Sequence, residues 1–180
     1  MDSINVNQDG QTQLMIGGFP ILRTTADPLV RLLIKKMLQQ QQTLFFANTN
    51  FVVQCQSLKT QMTTDGTIIV NDGIGMDIAS QLVHGQRFIE NLNGTDFTPY
   101  LLQQMGENAK VFLLGAKPGI AQRAADCLSS QYDVNIVGVR NGYDEAKNTA
   151  ELIEIINQSG ATVILVAMGN PYQEQWILQN

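Results

Sequence analysis

The chain has 180 residues, enough for one domain with a substantial core, and 44% of them are hydrophobic. Its formal charge is −5 with no basic cluster, which argues against a nucleic-acid-binding protein. Two cysteines and one histidine suggest neither a disulfide framework nor a zinc site, no apolar run is long enough to span a bilayer, and the start carries no signal-peptide pattern, so a reducing cytoplasm is expected.

Residues 1–12 are polar and expected to fray. Apolar runs flank Gly17-Gly18 between Leu14 and Arg23, which predicts a small hairpin. Asp27-Pro28 reads as an N-cap followed by proline at the first helical position, with Leu29, Val30, Leu32, Leu33, Met37 and Leu38 at helical spacing behind it. Gln39 to Gln42 marks the helix end. Thr43–Ala47 is a strand ending in Asn48-Thr49-Asn50, and Phe51, Val52, Val53, Cys55 and Leu58 suggest a second helix. Thr67–Asn71 is β-branched and reads as a buried strand. It breaks into Asn71-Asp72-Gly73-Ile74-Gly75 and runs on at helical spacing to Val83. Residues 84–95 form a loop, and Phe97, Tyr100, Leu101, Leu102 and Met105 suit a helix after it.

Lys110–Leu114 is a strand, followed by the turn Gly115–Gly119 and a helix from Ile120 to about Ser130. Asn135–Val139 is another strand. Asn141-Gly142-Tyr143 is a turn, and Asp144–Gln158 an amphipathic helix stopped by Gly160. Ala161–Ala167 is almost continuously apolar, as a strand covered on both faces should be. Met168–Pro171 ends it, and Tyr172–Asn180 begins one more helix. The alternation predicts an α/β fold: a Rossmann-like, open, mainly parallel sheet with helices on both faces and a small N-terminal hairpin, in a single domain spanning 1–180. Its strand-to-helix loops are expected on one rim. No cap follows Asn180, so a longer natural chain is expected.

Ligands of open α/β sheets bind at the carboxyl ends of strands. Asp72 stands there, beside Gly73 and Gly75, and a carboxylate so placed can accept a proton from a substrate hydroxyl. The competing reading is an N-cap for the helix that starts near Ile74. Asn48, Thr49 and Asn50 offer uncharged donors and acceptors suited to a sugar, or serve as caps. Gly115–Gly119 with Lys117 suits an anion at a helix start, or is a plain turn. Gln173 or Glu174 could face a pocket, or Glu174 could only complement the helix dipole. Trp176 reads as core and His84 as a satisfied or surface histidine. Asp72 and Asp77 are five apart, which does not suggest a metal, and no cofactor is expected. No dinucleotide glycine fingerprint follows the first strand, which disfavours a dehydrogenase.

Together these pieces resemble the WecG/TagA/CpsF family of bacterial glycosyltransferases. The resemblance is carried in order by Val70–Gly75, Asn93-Gly94-Thr95-Asp96, Phe112–Gly119, Ile136–Val139, Asn141-Gly142-Tyr143 and Val166–Ile177. It implies an inverting, metal-independent transfer of a hexose (glucose, N-acetylmannosamine or a related sugar) from a UDP-sugar. The implied acceptor is a sugar on undecaprenyl diphosphate, and the products serve teichoic acid, common antigen, capsule or exopolysaccharide. Asp72 falls on the family's proposed base, Asn50 on its pocket asparagine and Gln173 on its pocket glutamine. Asn71, Gly73, Gly75, Asn91, Asn93, Asp96, Gly115, Lys117, Gly142, Tyr143 and Gly169 are the other binding residues implied, along with Asn48 and Thr49. Asn91 stands where many members carry Arg. This resembles the exopolysaccharide branch with GumM-like glucosyltransferases and weighs against N-acetylmannosamine. Asn48-Thr49-Asn50 replaces a frequent Thr-Pro-Asn. A basic C-terminal tail that meets the membrane follows the last helix in the family and is absent here. Its absence implies weak or no activity for this chain, and a peripheral place at the inner membrane face for the full-length protein. Self-association is compatible with the sequence. The alternatives are a non-catalytic nucleotide- or sugar-binding module and a structural or assembly protein.

Overall fold

The computed structural model describes residues 4–6 and 10–180. The fraying expected of residues 1–12 therefore falls partly outside the described residues, and Ile4–Val6 within that stretch form a strand, β1. The chain divides into two compact units, residues 1–97 and 98–180.

The first unit is built on a five-stranded sheet in the order β1-β2-β3-β5-β4. Strands β2 (Thr12–Ile16) and β3 (Phe19–Leu22) form the expected hairpin, with Ile16 opposite Phe19. Gly17 and Gly18 both take positive φ, 58° and 83°, the requirement of a two-residue turn that follows the strand twist. Strands β4 (Thr43–Ala47) and β5 (Thr67–Asn71) pair in parallel from Thr43↔Thr67 to Ala47↔Asn71. Both strands have the bounds their β-branched and aromatic runs predict. Helix α1 (Ala26–Met37) starts one residue ahead of the expected cap: Thr25 is the N-cap, and Asp27 lies in the first turn. The reason is tertiary. Glu90 Oε2 accepts the Ala26 amide at 3.0 Å, satisfying a helix-start donor from a distant loop. Helix α2 (Thr49–Gln54) is shorter than its apolar pattern and passes into 3-10 turns. Helix α3 (Ile74–His84) follows β5. Phe51 stacks obliquely on Phe19 and Phe45 at 5.2 and 6.1 Å, tying α2 to the sheet. His84 is satisfied, as expected: its Nε2 meets the Met15 carbonyl at 2.8 Å.

The boundary between the units falls within helix α4 (Gly94–Met105). The second unit carries a parallel three-stranded sheet, β7-β6-β8, formed by β6 (Lys110–Gly115), β7 (Asn135–Arg140) and β8 (Val163–Ala167). Its helices are α5 (Ile120–Tyr132), α6 (Thr149–Gln158) and α7 (Tyr172–Gln179). β6 is the central strand, buried from Val111 to Gly115, and its side chains alternate between the two faces of the sheet. Val111 and Leu113 pack with Leu102 of α4 and Ala125 of α5, while Phe112 and Leu114 pack with Leu152 and Ile156 of α6. Helices thus cover both faces of this sheet, as the apolar runs predict.

The α/β fold of mainly parallel strands flanked by helices is as expected, with the strands divided between two sheets. Two expectations are corrected. β8 is not covered on both faces: it lies at an edge, and Ile164 is 41% exposed. Its apolar run matches that of β6, but strand order rather than composition decides which strand is central. Lastly, the helix expected from Asp144 begins only at Thr149. Asn141 Oδ1 accepts the amides of Tyr143 and Asp144, and Glu145 Oε2 accepts the backbone and side-chain N–H of Asn141. These local bonds hold the chain in turns until Asn148, whose Oδ1 accepts the Glu151 amide and opens the helix.

Candidate functional site

In the first unit, the parallel pairing of β4 and β5 brings two loops to one sheet edge, Asn48-Thr49-Asn50 and Asn71–Gly75. Asn48 is the N-cap of α2, its Oδ1 accepting the Phe51 amide at 2.9 Å. Thr49 lies against Gly75, where a Cβ would come within 2.7 Å of the threonine methyl. The strand-end asparagines and the start of α3 are therefore in contact through these two residues. Asn50 is exposed.

Asp72 does not cap α3. The N-cap is Gly73, which has no side chain to make a cap bond. The Asp72 backbone amide donates to Ala47 at 2.8 Å, which fastens the turn to the end of β4. Its carboxylate is half-buried, and burial raises its pKa above the ordinary 3.8. No nearby charge contributes to that rise. A carboxylate held this way is a better proton acceptor than a surface aspartate.

The flanking residues are tied down. Asn71 is fully buried, and its Nδ2 donates to the Glu90 carbonyl at 2.9 Å. Asn91 Oδ1 accepts the Gly73 amide at 2.7 Å. Asn93 caps α4: its Oδ1 accepts the Asp96 amide and its Nδ2 donates to Asp96 Oδ2. Asn93 and Asp96 are thus partners of one another.

In the second unit, the loops after β6, β7 and β8 share the carboxyl edge of the sheet. Gly115 has φ 135°, and a Cβ on it would fall 2.2 Å from the Ala167 carbonyl oxygen, so only glycine fits. Ala116 donates to that same oxygen at 2.7 Å, and the Gly142 amide donates to Ala116 at 3.0 Å. The three loops are stitched together by backbone bonds. Beside them lies a groove of about 550 Å³, lined among others by Tyr143, Lys147, Tyr172, Gln175, Trp176 and Gln179. That size suits a small-molecule ligand. Tyr143 and Tyr172 are exposed and Lys147 is paired with Asp144 at 3.2 Å. Lys117 is exposed at the turn before α5. Gln173 Oε1 accepts the Gly169 amide, and its Nε2 donates to Glu174 Oε1. Among the described residues, no three His, Cys, Asp or Glu side chains gather as a metal site.

A model of the glycosyl transferase WecG/TagA/CpsF family matches residues 14–180. The chain belongs to that family. The match runs from β2 to the end of the chain and so includes both edges just described. WecG/TagA/CpsF proteins are glycosyltransferases of cell-surface polysaccharide biosynthesis, which require a sugar donor and an acceptor. No helix among the described residues of this WecG/TagA/CpsF member is long and apolar enough to cross a membrane.

Several residues of the groove carried no signal in the sequence. Ala146 and Lys147 read as the first turn of an amphipathic helix, because the local bonds that unwind residues 141–148 cannot be seen in a hydrophobic pattern. Gln175 and Gln179 are ordinary polar helix residues until α7 is placed along β8. Trp176 packs on the α6-side core, as expected, and also lines the groove, with its Nε1 buried and unpaired.

Proposed function

We propose that the protein is an inverting, metal-independent hexosyltransferase. It moves a hexose from a UDP-sugar to a sugar carried on undecaprenyl diphosphate at the inner membrane face. The observation that carries this reading is Asp72: a half-buried carboxylate of raised pKa, at a strand end, in a chain of a glycosyltransferase family. The acceptor hydroxyl gives its proton to Asp72 while its oxygen bonds to the anomeric carbon. The bond from that carbon to the diphosphate oxygen breaks, and UDP leaves with the electron pair from the opposite face. General-base assistance of this kind is worth roughly 10²–10⁴ in rate.

The groove of the second unit suits the nucleotide. Exposed tyrosines offer faces for a base, Gln175 and Gln179 offer amides, and Lys147 offers charge for the diphosphate. Asn91 in place of an arginine favours the exopolysaccharide branch and glucose. Asn50, at the same sheet edge as the Asp72 turn in the first unit, is a proposed sugar contact.

The test is transfer from a panel of UDP-hexoses to a lipid-diphosphate sugar, with wild type and Asp72→Asn. The reading expects transfer by wild type with inversion, transfer lowered roughly 10²–10⁴-fold in the variant, and UDP binding equal in both. Unchanged transfer by D72N removes Asp72 from the role. UDP binding with no transfer by wild type, from any donor, leaves a binding module instead.

A further inference from the structure

One loop grips the Asp72 turn from both sides. Residue 71 reaches it through a side chain, Asn71 Nδ2 to the Glu90 carbonyl at 2.9 Å. Residue 73 is reached by it, Asn91 Oδ1 to the Gly73 amide at 2.7 Å. The aspartate between them is therefore spanned by bonds to two consecutive residues, Glu90 and Asn91. The same loop is anchored elsewhere. Glu90 Oε2 holds the first amide of α1, Phe88 donates to Asp77 on α3 at 3.3 Å, and Leu92 is buried. Asn91 itself is exposed, so little of its side chain serves packing. Gly73 is the N-cap of α3, and its amide has no partner in the helix.

We propose that Asn91 is a positioning residue for Asp72. By holding the Gly73 amide it fixes the backbone just after the aspartate, and with Asn71 it prevents the turn from swinging out to solvent. This rests on the proposed role of Asp72 as base, but the grip itself does not depend on catalysis. Two ionisable groups on the elements around the turn have other partners: Asp77 accepts from Phe88 and Glu90 from Ala26. Only half-burial, which the fixed turn maintains, sets the behaviour of the carboxylate. Releasing the turn hydrates it and returns it toward the ordinary carboxylate range.

The experiment compares Asn91→Ala and Asn91→Asp in the full chain. The carboxyl titration of Asp72 is followed by carbon-13 NMR, alongside the pH profile of transfer. In N91A the Asp72 titration moves to lower pH, kcat falls roughly 10–100-fold as expected for a misplaced group, and the KM for the UDP-sugar is unchanged. N91D keeps an acceptor for Gly73 and adds a like charge. It retains most of kcat and moves the titration to higher pH. Opposite shifts in the two variants support the positioning role; a purely structural loss lowers both activities and shifts neither titration in this signed way. An N91A protein with wild-type titration and wild-type kcat overturns it. If N91A shifts the NMR titration while D72N still transfers sugar, the grip stands and the base assignment falls. If D72N is inactive while N91A leaves the titration in place, the base assignment stands and the grip falls.

Discussion

Ionised Asp72 works against the fold. Burial raises its folded pKa above the ordinary 3.8. Below both values the carboxyl is protonated in the folded and the unfolded chain, and no penalty arises. As pH rises, the unfolded chain gives up this proton first, and the folded state loses stability until its own pKa is passed. Asp72→Asn removes an ionisable group from that place. We expect D72N to melt higher than wild type at pH 7, with the difference vanishing near pH 3, while transfer falls by roughly 10²–10⁴. Calorimetry at the two pH values, with a transfer assay at pH 7, checks both halves. On the proposed role of Asp72 as base, the same titration is expected to set the acid limb of transfer, which then rises with pH through the folded pKa of Asp72. Stability given up for an activated group is a common feature of active sites. Gly115 is a second residue-scale constraint, of steric origin. A methyl there meets a carbonyl oxygen at 2.2 Å and a backbone φ of 135°. Gly115→Ala should cost more than about 4 kcal/mol or fail to fold, in the class of substitutions that strain a special backbone position. Denaturant unfolding with a loss under about 1 kcal/mol would show that the three loops separate easily.

The elements differ in how much of their own identity they carry. β4, β5 and β6 have dense β-branched or aromatic runs bounded by turn residues, and they form within a residue of where the pattern places them. Helix α6 is the opposite case. Its amphipathic spacing begins at Asp144, but side-chain bonds around Asn141 and Glu145 hold that stretch in turns, and Asn148 sets the true start. Removing the cap with Asn148→Ala should destabilise the second unit by about 1 kcal/mol. Circular-dichroism melts measure this, and an unchanged midpoint would mean that packing of Leu152 and Ile156 alone fixes the helix start. The candidate site follows the same division. Asp72, Gly73 and Gly75 are legible because a β-branched run breaking into glycines marks a strand end. The roles of Asn91 and Asn93 are not legible, since both are loop asparagines with identical local chemistry. One closes on a distant turn and the other on the next helix, and only the placed backbone separates these outcomes.

For the chain as a whole, the two cysteines report on packing independently of the site. Cys55 is fully buried and Cys127 exposed. A thiol reagent should label one cysteine per native chain, at Cys127, and two after denaturation. Fast labelling of Cys55 in the native protein would mean that the aromatic core around Phe51 opens readily. The sequence by itself determined the α/β class, most strand and helix positions, the family, and the acid at a strand end. All of these are written in short-range periodicity and turn chemistry, or in motifs that survive as ordered residue types. The tertiary structure alone decided that the strands form two sheets, that β6 rather than β8 is central, and that Glu90 caps α1 while Asn91 holds Gly73. It also decided which polar residues of α7 border a groove. Each of these depends on contacts between residues far apart in the chain, for which local pattern carries no energy term.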